Sequence, residues 1–133
     1  MANPPCSGII VIDDNKTVLV CTKQDNYSFP KGKKKKGETI LETAWRELTE
    51  ETGLTQEHVK LIDDFALDEN SDRGNIATKY YVGLLIKNLE KLQFDPDELV
   101  KVEWIDIQDA YKLDKFKNRR KELLEVAHAK SIK

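Results

Sequence analysis

The sequence predicts an α/β fold in which a central mixed sheet is covered by helices. Three observations carry that expectation. Short runs rich in β-branched and aromatic residues recur along the chain, two longer segments space their apolar residues as helices do, and the two kinds interleave. At 133 residues the chain reads as a single domain over residues 1–133, long enough to bury roughly two thirds of its unfolded surface.

In chain order, "SGIIVID" and "TVLVCT" flank the turn-rich "DDNK" and read as a hairpin. A loop, "KQDNYSFPKGKKKKGE", follows. Thr39 and Glu42 have the spacing of a capping box, in which each side chain satisfies the other's backbone N–H, so a helix is expected from Ile40. Gly53 suits the left-handed residue that ends it. "VKLIDDFALDE" and "IATKYYVGLLI" read as strands joined by the polar turn "NSDRGN". "LVKVEWIDI" reads as a short strand running into a helical turn at Gln108 to Leu113. From about Lys115 to Lys130, the positions of Phe116, Leu123, Leu124 and Ala127 predict an amphipathic final helix.

A net charge of −2 excludes a global attraction to nucleic acid or anionic membrane, so any anion binding must be local. The N-terminal apolar run Ile9 to Ile12 is too short for a signal peptide or a span. A cytoplasmic protein with no membrane partner is expected. Cys6 and Cys21 lack CxxC spacing and read as reduced thiols, and His58 and His128 stand alone in polar contexts.

On the helix from Ile40 to Thr52, about 100° per residue puts Leu41, Ala44, Trp45, Leu48 and Thr52 on one stripe. Glu47, Glu50 and Glu51 share a sector beside it. Most acidic helix faces are simply solvated. Here, however, like charges at i,i+4 repel, and acids in the last turn face the negative end of the helix dipole. A divalent cation would reverse each of these terms. Oxygen ligands without nearby His or Cys point to Mg²⁺ or Mn²⁺ and away from zinc.

Gly32, Glu38, Arg46, Glu47, Leu48, Glu50, Glu51, Gly53 and Leu54 match, without gap or substitution, the Nudix box Gx5Ex7REUxEExGU, where U is a bulky aliphatic. The chain thus resembles the Nudix hydrolases. That resemblance implies an α/β/α sandwich with a loop-helix-loop catalytic motif, and Mg²⁺- or Mn²⁺-dependent hydrolysis of a diphosphate linked to some other group. By motif position, Glu47, Glu50 and Glu51 are the implied metal ligands, with Glu51 or Glu47 also placed to take a proton from the attacking water. Arg46 would orient a neighbouring glutamate, while Gly32 and Glu38 would shape the loop. A further glutamate six residues before a late-strand aromatic is common in the family; Glu98 stands in that relation to Trp104 and is the implied fourth ligand or general base.

Lys31, Lys33, Lys34, Lys35 and Lys36 concentrate positive charge immediately before the helix, which suits capture of a polyphosphate. Lys31 and Lys33 are the expected phosphate contacts. Outside the box, "FPKG", "TKYYVGLL", the Glu98–Trp104 spacing and "KLDKFKNRRKELL" resemble the asymmetric diadenosine tetraphosphate hydrolases. This implies cleavage to ATP and AMP, with Tyr80 stacking on adenine; Phe116 is a candidate second stacking surface, although an aromatic on an apolar helix face is more often core. Because strand side chains alternate, only one of Tyr80 and Tyr81 can face a given side, and Lys79, a further candidate phosphate ligand, goes with Tyr81. Diphosphoinositol polyphosphates and RNA 5′ ends, capped or triphosphorylated, are the alternative substrates, and a nucleotide-binding Nudix module is the non-enzyme alternative. The oligomeric state is left open.

Overall fold

The computed structural model describes residues 4–132. Seven strands and three helices follow in the order β1 (Cys6–Asp13), β2 (Lys16–Thr22), β3 (Tyr27–Ser28), β4 (Lys31–Lys33), α1 (Ile40–Thr52), β5 (Val59–Asn70), β6 (Ile76–Leu85), β7 (Leu99–Asp106), α2 (Ile107–Ala110) and α3 (Asn118–Ser131). The α/β/α architecture with a mixed central sheet is the expected one. Its strands run β3-β2-β1-β6-β5, with β4 on β1 and β7 on β2. Among the described residues, only the β1–β6 pair is parallel. Among the described residues, no helix is long and apolar enough to cross a membrane.

Alternation along β1 divides the interior into two layers. Ile9 and Val11 join Val18, Ala44, Leu48, Leu54 and Val59 beneath α1. Ile10 and Ile12 join Leu19, Phe29, Tyr80, Phe116, Leu124 and Ala127 beneath α3. Both faces of β1 are therefore buried, which is why its sequence is continuously apolar.

Local chemistry sets the ends of α1. Thr39 accepts from the Glu42 amide at 3.0 Å while Glu42 accepts from the Thr39 amide at 2.8 Å, completing the capping box. Gly53 closes the helix at φ 85°. Its apolar stripe differs in one place from expectation: Leu41 is 40% exposed, where it lines a hollow, and Thr43 is buried instead. The last helix begins at Asn118, three residues later than expected, with no side-chain N-cap. The preceding turn is used elsewhere, since the Lys115 carbonyl accepts from the Tyr27 amide at 2.9 Å.

Between Leu61 and Ala66, β5 departs from its register with β6: four residues, 62 to 65, stand opposite Val82 alone. Asp64 within this bulge has φ 53°.

Candidate active site

The short strand β4 lies beside α1 because residues 31 to 33 pair with Gly8, Ser7 and Cys6 of β1. That pairing places the Lys31 amide 3.0 Å from Glu51 Oε1, to which it donates. One position on, Gly32 lies so close to Glu47 that a Cβ would overlap the carboxyl. The glycine is needed for space, not for backbone conformation, since its φ lies outside the left-handed region.

Arg46 gathers the rest. Its Nε and Nη2 fork onto the two Glu38 oxygens at 2.6 and 3.0 Å. Nη1 donates to Glu47 at 2.9 Å and to Glu50 at 3.1 Å, and Nη2 also donates to the Lys33 carbonyl at 2.9 Å. One planar guanidinium thus ties the loop to three glutamates, a geometry that lysine has too few fixed donors to reproduce.

These partners set the charges. The Arg46 hydrogen bonds hold the Glu38 carboxyl down at about 2. Burial pushes Glu47 above the ordinary carboxylate value, against the pull of Arg46. Burial also pushes Glu51 up to about 8; the Lys31 amide opposes the rise, and the negative charges of Glu47 and Glu98 add to it. Glu98 therefore lies near enough to act on both helix carboxylates, although it belongs to the turn before β7, where its amide donates to the Asp95 carbonyl at 3.0 Å.

A family model described as the NUDIX domain matches residues 2–127. The chain belongs to the Nudix family. Among proteins of similar sequence, an RNA pyrophosphohydrolase of Psychromonas ingrahamii is 45% identical over 60 residues, which is 44% of this chain and 33% of that protein. An m7GpppN-mRNA hydrolase of Saccharomyces cerevisiae is 32% identical over 111 residues, 78% of this chain and 11% of that protein. The chain spans a third or less of these curated relatives. Among solved structures, a C. elegans Ap4A hydrolase binary complex superimposes with a TM-score of 0.81 at 22% identity, covering 93% of this chain and 96% of that one. At that identity the likeness is one of Nudix fold.

Within this Nudix fold, the helix carboxylates do not meet at one point as the helical wheel suggests. Among the described residues, no three His, Cys, Asp or Glu side chains are gathered as a metal cage. Like charges repel, and each carboxylate turns to the nearest donor: Glu47 and Glu50 to Arg46, Glu51 to Lys31. The donor set still fits a hard dication, because every candidate atom is a carboxylate oxygen and the half-buried Glu51 carboxyl is raised by desolvation, which a cation would oppose.

The proposed base platforms are corrected by the structure. Tyr80 is 0% exposed and Phe116 is 1% exposed. Both rings pack edge-on against Phe29, at centroid distances of 5.2 and 5.5 Å, beneath α3. Neither offers a face for stacking. Lys79, with Tyr81 and Leu41, lines a hollow of about 540 Å³, and across β1 it stands in the same register row as Gly32. Of the lysines, Lys31 is half-buried and Lys33 is exposed. The main-chain amide of Lys31 has no side-chain pattern by which the sequence could announce it. The Tyr27 ring is half-buried in the strand that leads to Lys31, with Lys101 Nζ 5.6 Å from its centroid.

Proposed function

We propose that this chain is a divalent-metal-dependent pyrophosphohydrolase that cleaves a diphosphate linkage in a polyphosphorylated nucleotide. One observation carries the reading: Glu51, a half-buried carboxylate, is fixed by the Lys31 amide beside Glu47 and within electrostatic reach of Glu98. Glu47, Glu50, Glu51 and Glu98 would hold Mg²⁺ or Mn²⁺. When bound, the ion neutralises phosphoryl charge and lowers the pKa of coordinated water. The protein's part is positioning. Glu51 keeps one oxygen on the Lys31 amide and leaves the other to accept a proton, with Glu47 the alternative base. Arg46 holds Glu47 and Glu50 in place, and Lys31 and Lys33 meet the phosphates.

Diadenosine tetraphosphate, cut asymmetrically to ATP and AMP, is the first substrate, on the strength of the flanking resemblance. With Tyr80 and Phe116 buried, the stacking role passes to Tyr27. The names of the sequence relatives favour a second reading, a triphosphorylated or capped RNA 5′ end. A substrate panel with product analysis decides between them. ATP plus AMP from diadenosine tetraphosphate at the highest kcat/KM supports the first, and faster release from RNA 5′ ends replaces it by the second. Preferred turnover of a diphosphoinositol polyphosphate would remove the nucleotide, and binding without magnesium-dependent phosphate release would leave a nucleotide-binding module.

A further inference from the structure

On the α3 side of the sheet, away from the metal-ligand candidates, lies a buried charge cluster that the reaction does not use directly. Glu69 of β5 is 3% exposed. It accepts from Tyr80 Oη at 3.1 Å, from Arg119 Nε at 2.7 Å and from Arg120 Nε at 3.2 Å. Arg120, itself buried, has one more donor in use: Nη1 reaches the Tyr27 carbonyl at 3.0 Å.

Burying such ions is costly, and apolar replacements of similar volume are often no less stable, so stability is a weak reason for the cluster. Its geometry suggests another. The segment 27 to 31 is held at Tyr27 by Arg120, at Phe29 between Tyr80 and Phe116, and at Pro30, whose carbonyl accepts from the Ile9 amide at 3.2 Å. Its last residue presents the amide that orients Glu51.

We propose that Arg120, braced by Glu69, is a positioning residue of the active site: through the Tyr27 carbonyl it sets the height of residues 27 to 31 and so the direction of the Lys31 amide toward Glu51. The inference rests on Glu51 being part of the metal site. Outer partners of metal ligands typically affect metal affinity by about 10- to 100-fold. Lysine at 120 keeps a charge against Glu69 but lacks a second rigid donor for the carbonyl.

The test compares wild type, Arg120→Met, Arg120→Lys and Glu51→Gln by Mn²⁺ titration without substrate, steady-state kinetics and thermal unfolding. Both Arg120 variants are expected to be less stable than wild type but folded, to bind Mn²⁺ about tenfold more weakly and to lose kcat by a similar factor. Wild-type Mn²⁺ affinity and kcat in folded Arg120→Met overturn the proposal. If that variant does not fold, Arg120→Lys decides by the same criteria. Unchanged Mn²⁺ affinity and turnover in Glu51→Gln would instead overturn the active-site reading, and the proposal with it.

Discussion

The carboxyl of Glu47 lies against the Cα of Gly32, in the volume a side chain would fill. Two residues fifteen positions apart, one on an edge strand and one on a helix, share a single space, so the loop can approach the carboxylates only if residue 32 has no Cβ.

Gly32→Ala tests that contact. The backbone can accept alanine, so the expected cost falls on Glu47: turnover and Mn²⁺ affinity drop by about 10- to 100-fold, while the unfolding temperature moves by only a few degrees. Activity near wild type would show that Glu47 has room to move aside.

Arg46→Lys should also act on position rather than on charge. Lysine keeps the positive charge but cannot fork onto Glu38 while bonding Glu47, Glu50 and the Lys33 carbonyl. A loss in kcat of about tenfold or more is expected, with KM little altered. Equal kinetics would assign Arg46 to charge balance alone.

The raised Glu51 carboxyl makes the metal-free protein sensitive to pH. A group whose pKa is higher in the folded state than in the unfolded chain stabilises the fold fully below the unfolded value and loses that contribution as pH rises through the folded one. For Glu51 the window runs from 4.5 to about 8. Urea unfolding without metal should therefore show stability falling across that window, Mg²⁺ should restore more at pH 8.5 than at pH 5, and Glu51→Gln should flatten the dependence. A flat profile in wild type would show that the carboxyl is not held neutral by burial.

Tyr80 and Tyr27 separate packing from recognition. Tyr80→Phe removes the hydroxyl that Glu69 accepts, at an expected cost of about 1–3 kcal/mol in stability, without changing KM for diadenosine tetraphosphate. Tyr27→Ala should raise that KM severalfold at nearly constant kcat. The reverse pattern would return the adenine to Tyr80.

How much of this was legible depends on the range of the interactions involved. Thr39, Glu42 and Gly53 act within a turn of their own helix, and their roles were readable directly. The alternation of Tyr80 and Tyr81 was readable too, but not which of them faces α3, since that depends on how β6 pairs with β1, where Tyr80 stands opposite Gly8. The short strands β3 and β4 escaped notice for a similar reason: "YS" and "KGK" have little intrinsic strand character and are extended because β2 and β1 pair with them. The motif spacing identified Glu47, Glu50 and Glu51, whereas the Lys31 amide and the brace at Arg120 depend on contacts between distant segments.

The most direct measurement is the turnover of Glu51→Gln and Glu98→Gln with Mg²⁺ at saturating substrate, alongside their unfolding temperatures. Losses of several orders of magnitude in a protein that unfolds no earlier than wild type are the expected result. Near wild-type turnover in Glu51→Gln would contradict the assignment of the Glu51 carboxylate to the reaction.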